Sequence, residues 1–201
     1  MLAACRALSL AEASLNANAA SRWHTLERVG ADAWVCRIDD GSGNQAVMSF
    51  SPPGAVIRGF DHESPLSPWA REPMQLWPGL EDGLPEALRR TPTIMIGDIE
   101  SVTFCIWWAR GAGQWSVGTV EPPRGDYADP DGSEYLLRPT SGVEEAHRFL
   151  TEYYELDLSG EMVSELFSEA PLDGGLLGQL AVRRSASDVQ AEAARLSYPL
   201  A

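Results

Sequence analysis

The chain contains no lysine. Its fifteen basic residues are all arginine, set against 29 acidic ones, for a formal net charge of −14. The absence of lysine removes the phosphate-loop lysine, Schiff-base catalysis and lysine general bases in one step. The shortage of positive charge argues against nucleic acid, whose phosphates require a basic footprint, and against anionic membranes. Histidine and cysteine are equally sparse, at three each. Cys5, Cys36 and Cys105 form no CxxC and no metal-ligand spacing, so they read as small buried hydrophobes in a reducing cytoplasm. No GxSxG, phosphate loop or dinucleotide fingerprint occurs, and no cofactor is expected. No stretch approaches the ~18 consecutive apolar residues of a membrane helix. Residues 1–6 lack the start of a signal peptide, and the expected location is cytoplasmic.

What remains is an ordinary globular composition, 201 residues with 44% hydrophobic and 22% charged, long enough for one α+β domain over 1–201. The pattern predicts a helix over 8–20 and strands over 23–29, 33–38 and 46–50, the last two joined by the Asp39-Asp40-Gly41-Ser42-Gly43-Asn44 loop. A further strand follows over 55–60. Residues 102–109 are apolar on both faces, as expected of a strand at the centre of a covered sheet, and 114–120 return beside it. From 141 onward the period is helical. Ser141 with Glu144 forms a capping box, Asp173 is a cap, and Ser187 pairs with Gln190 to open the last helix. The expected architecture is therefore an antiparallel meander sheet, sheet-rich over 20–140, with helices packed on one face or end and an all-helical part over 141–198.

Between these regions lies a proline-rich stretch over 64–92 that carries Trp69 and Trp77, with a short helical turn after Pro85. It begins at Asp61-His62-Glu63, where three ionisable side chains adjoin. On an extended backbone consecutive side chains point to opposite faces, so adjacency alone does not make a site. Asp98 and Glu100 are the candidate partners on a neighbouring element. Such a carboxylate-rich set would suit magnesium, calcium or manganese better than zinc. The competing reading has Asp61 and Ser64 capping a turn while His62 hydrogen-bonds across to the proline-rich segment. That reading is favoured, and no metal site is assigned. His147, on an apolar helix face, reads as a satisfied, partly buried histidine. The run Asp129-Pro130-Asp131-Gly132-Ser133-Glu134 lacks the third oxygen donor of a calcium loop and reads as a turn.

Gly59-Phe60-Asp61-His62-Glu63-Ser64 with Ser67-Pro68, Trp77-Pro78-Gly79, Gly83-Leu84-Pro85, Thr103-Phe104-Cys105-Ile106-Trp107 and the Tyr153-Tyr154 helix together resemble a family of uncharacterised bacterial proteins. The likeness spans roughly residues 55–180. It implies a bacterial cytoplasmic protein and transfers no activity or catalytic residue.

Two functions are open on this reading. One is an acidic, immunity-like inhibitor or interaction protein that binds a basic protein partner through Trp69 and Trp77; proline pre-orders their segment, and tryptophan is enriched at binding hot spots. The two indoles could instead fold back as plugs over the sheet, and exposed aromatic edges would equally serve a homodimer. The other function is a small-molecule hydrolase, with or without a divalent metal, using Asp61, His62 and Glu63 with Asp98 or Glu100.

Overall fold

A computed structural model describes residues 1–201. The protein is α+β. It opens on helix α1 (Leu2–Leu15), then enters strands β1 (His24–Arg28), β2 (Trp34–Asp39), β3 (Gln45–Ser51) and β4 (Gly54–Phe60). The proline-rich stretch holds helix α2 (Glu86–Arg89), and a two-stranded hairpin, β5 (Met95–Ile96) with β6 (Ile99–Glu100), follows it. Strands β7 (Phe104–Ala109) and β8 (Ser116–Val117) complete the main sheet, and helices α3 (Ser133–Leu137), α4 (Val143–Tyr154), α5 (Gly160–Phe167), α6 (Gly174–Leu180) and α7 (Ala186–Arg195) follow. The six-stranded sheet runs β1-β2-β3-β4-β7-β8 as an antiparallel meander.

The chain divides into two compact units, Met1–Glu27 with Leu137–Ala201, and Arg28–Leu136. In the second, register pairs Arg58 with Cys105 and Val56 with Trp107, which puts these four on one face of the sheet. Leu84 and Leu88 from the proline-rich stretch pack against Val56, Cys105 and Trp107, while Ile94 covers Val35, Val47 and Phe60. Proline-rich sequence forms this cover because each proline fixes one backbone torsion and lowers the entropy lost on ordering.

Several expected boundaries moved. The first helix is Leu2–Leu15, and eleven of its residues are buried, so the two-sided pattern that marks a surface helix is missing from it. The strand expected at the centre of the sheet is fifth of six. It is β4 that is buried along its whole length. The return strand pairs only at Val117 and Ser116, because the chain from Gly118 onward packs against Gly79 and Leu80 instead. Gly142, not Ser141, sits at the N-cap of α4 and no side chain caps it; the Ser141 hydroxyl donates to the Arg138 carbonyl at 2.7 Å. At α7 the cap is Ser185, two residues before the expected one, accepting from the Asp188 N–H. Asp173 caps α6 as expected, accepting from the Gly175 and Leu176 N–H groups.

Candidate functional site

The Asp61-His62-Glu63 run follows directly on β4. The Asp61 carboxylate accepts from the Glu63 N–H at 2.9 Å, an Asx turn, and the Ser64 N–H donates to the Asp61 carbonyl at 3.2 Å. The Asp61 N–H donates to the Thr103 hydroxyl at 3.1 Å, and that hydroxyl donates to the Asp131 carbonyl at 2.6 Å. His62 donates twice to the Asn44 side-chain oxygen, from its N–H at 3.0 Å and from Nδ1 at 2.7 Å. Asn44 in turn donates to the Asp40 carboxylate from its backbone and from Nδ2. Ser64 donates to the Pro130 carbonyl at 2.7 Å. The run thus ties together the loops around residues 42, 102 and 131. Gly132, at φ +80°, fits against Asp61 where a Cβ would lie 2.4 Å from the aspartate's own Cβ. His62 turns to the Asn44 loop, not to the proline-rich segment.

The other candidates lie elsewhere. Asp98 is exposed beside the tip of the β5–β6 hairpin, and Glu100 accepts from the Thr93 hydroxyl at 2.7 Å. Neither shares a hydrogen bond with Asp61, His62 or Glu63. No three His, Cys, Asp or Glu side chains are grouped so as to hold a metal ion. His147 donates from Nε2 to the Leu158 carbonyl at 2.7 Å, a satisfied histidine as read from the sequence.

Beside this junction lies a cavity of about 220 Å³ walled by Leu66, Leu80, Phe104, Ile106 and Val120, with Asp131 at its polar end. Burial, and next the Ser133 and Asp129 groups with opposing effects, leaves the Asp131 carboxyl above the usual carboxylate range. Its Oδ1 caps the Ser133 N–H at 2.8 Å. On the opposite sheet face, burial drives the Cys105 thiol up from 9.0 to about 12, although Arg58 pulls it down. A thiol this hard to ionise is a poor nucleophile.

Of the two tryptophans in the proline-rich stretch, Trp69 is exposed and Trp77 is only partly so. Ser67 caps the turn Pro68–Ala70, and Trp69 remains 46% exposed while its Nε1 donates to the Ser101 hydroxyl at 3.3 Å. Trp77 is half-buried and donates from Nε1 to the Glu121 carbonyl at 3.1 Å. Neither is a plug; Leu84, Leu88 and Ile94 do the covering. Arg71 lies over the Trp77 ring, 5.0 Å from its centre, and donates to the Leu76 carbonyl. A groove of about 370 Å³ opens here between Trp77, Pro78 and Asp82 on one side and Thr119 and Glu121 on the other. Its floor requires Gly79, at φ +89°, where a Cβ would come within 1.8 Å of the Thr119 carbonyl.

Two polar clusters escape sequence reasoning. Arg58, 2% exposed, donates from Nε to Glu81 at 2.7 Å, from Nη1 to the Thr91 hydroxyl at 2.6 Å and from Nη2 to the Arg89 carbonyl at 3.4 Å, clamping the cover to the sheet. Its signal is one arginine inside an apolar strand. In the other unit Glu12, wholly buried, accepts from the Trp23 and His24 N–H groups at 2.7 and 3.1 Å, from His24 Nδ1 at 2.5 Å and from the Tyr154 hydroxyl at 2.8 Å.

Set against family models, characterised proteins and solved structures, the chain matches none.

Proposed function

We propose that the protein is a binding protein for a basic protein partner, acting as an inhibitor of the immunity type, and that Trp69 and Trp77 form the heart of its contact surface. The observation that carries this reading is the division of labour in the second unit. Asp61, His62 and Ser64 are committed to holding loops together, whereas the two indoles are pinned by their nitrogens with ring surface left to solvent. An aromatic anchored in this way loses little entropy on binding. The −14 charge would steer encounter with a cationic surface.

The hydrolytic alternative at Asp61, His62 and Glu63 has less support, since Asp61 and His62 are turned to different partners and Asp98 and Glu100 bond neither of them nor Glu63. Affinity capture from native lysate, run in parallel with the wild-type chain and a Trp69→Ala/Trp77→Ala variant, tests the proposal. A cationic protein retained by the first and lost from the second is the expected result; equal retention, or none, contradicts it.

A further inference from the structure

The groove beside Trp77 contains an imbalance of charge. Asp82 and Glu121 both line it, and neither carboxylate has a hydrogen bond or ion pair within the chain. Arg71 lines it too, yet its guanidinium pairs with neither acid; it rests on the indole and on one backbone carbonyl. The ring is therefore already shown to accept a guanidinium, and two carboxylates at the rim are left over. A planar cation that can stack on indole and take two carboxylates edgewise matches this set, and arginine has that shape where lysine does not.

We infer that this groove receives an arginine side chain of the partner, its guanidinium between Asp82 and Glu121 and against Trp77, with Arg71 displaced from the ring. The inference rests on the proposed binding function and specifies the occupant of its surface. Arg71 acts as an internal placeholder: it keeps the indole face covered in the free protein and competes with the incoming cation. Gly79 and Thr119 fix the groove's width by backbone contact, so the pocket is formed before binding.

The test uses the full chain labelled with ¹⁵N and follows the indole N–H of Trp77, assigned by its loss in Trp77→Phe. The probe is an acetylated tetra-arginine amide, with the tetra-citrulline peptide as its uncharged counterpart. A saturable shift with the arginine peptide, and about tenfold weaker binding of citrulline, is expected for a charge-assisted contact. Asp82→Asn/Glu121→Gln should weaken the arginine peptide roughly fivefold, as loss of two exposed ion pairs does. Arg71→Ala should tighten it about twofold by freeing the ring. The variant Glu152→Gln/Asp157→Asn removes the same net charge from exposed positions in the other unit and should leave affinity unchanged.

Equal binding of citrulline, equal loss in the distant charge variant, or no movement of the Trp77 signal would overturn the inference. If the signal stays still while a basic partner is captured through Trp69 and Trp77, the arginine occupant is wrong and the binding function stands. If the peptide binds as described but no basic partner is captured, the failure lies with the binding function.

Discussion

Each of the two units holds a fully buried charged group at its centre, and the two carry opposite signs and use opposite strategies. The helical unit buries an anion, Glu12, and surrounds it with four donors from residues 23, 24 and 154. The sheet unit buries a cation, Arg58, whose carboxylate partner Glu81 keeps 26% of its side chain in contact with solvent. The first arrangement has no outlet to water, so losing any member strands the others. The second is a clamp, with its head in the core and its partner on the surface, and its partner can rehydrate if released. The anion therefore secures a core, whereas the cation secures a cover. The proposed contact surface belongs to the unit whose cover is held by the more forgiving device.

This difference sets an order of expected effects. Glu12→Leu should cost the helical unit about 3–5 kcal/mol, because two buried N–H groups, His24 Nδ1 and the Tyr154 hydroxyl lose their acceptor; urea unfolding followed by the far-ultraviolet circular dichroism of the helices measures it. An equal or smaller cost than that of Arg58→Met would break the comparison. Arg58→Met should cost about 1–3 kcal/mol, since the methionine fills part of the space and Glu81 returns to water. Amide exchange should then speed up across the 81–91 cover while β3 and β4 stay protected. Tyr154→Phe, which removes one neutral donor to a buried carboxylate, should cost about 1.5–3 kcal/mol on the same unfolding curve.

Alkaline pH bears on the sheet unit through a buried thiol. The Cys105 thiol is raised from 9.0 to about 12 in the fold by burial. The neutral thiol is the buried form, so its contribution to stability is complete below pH 9 and disappears as pH climbs towards 12. Cys105→Ala should flatten that decline in the sheet unit, and the native thiol should resist a thiolate-seeking reagent at pH 8. The smallest effect is expected at Asp131, whose carboxyl is raised chiefly by burial. The charged form is disfavoured there, so Asp131→Asn should raise the melting temperature slightly at neutral pH, and the gain should vanish in acid as the wild-type carboxyl protonates.

The sheet was largely legible in the sequence because its strands alternate or run apolar between strong turn residues: Trp34 to Phe50 pair in the hairpin register their pattern implies. The structural role of Asp61 was legible too, from the sheer divergence of neighbouring side chains on extended chain. What escaped was set by partners distant in sequence. Glu12 looks like a solvent-facing acid in an alanine-rich helix until Tyr154, 142 residues away, donates to it. β8 looked longer than it is because the alternation of Trp115, Val117 and Thr119 continues past Gly118, where Gly79 and Leu80 take over as neighbours. The cap at α4 was misplaced because Ser141 and Glu144 satisfy the capping-box spacing while the hydroxyl of Ser141 is already bonded to Arg138. The exposure of Trp69 and Trp77 was open because a proline-rich segment can as easily cover a sheet with indoles as with the leucines that do so here.

The central claim is that anchoring and binding are carried by different residues of the same segment. It is tested most directly by titrating the tetra-arginine probe into two variants whose melting temperatures are recorded alongside. Asp61→Asn/His62→Ala should lower the melting temperature and leave the affinity as in the wild type, whereas Trp69→Ala/Trp77→Ala should leave the melting temperature nearly unchanged and abolish saturable binding. Loss of binding in the first variant with retention in the second would contradict the account.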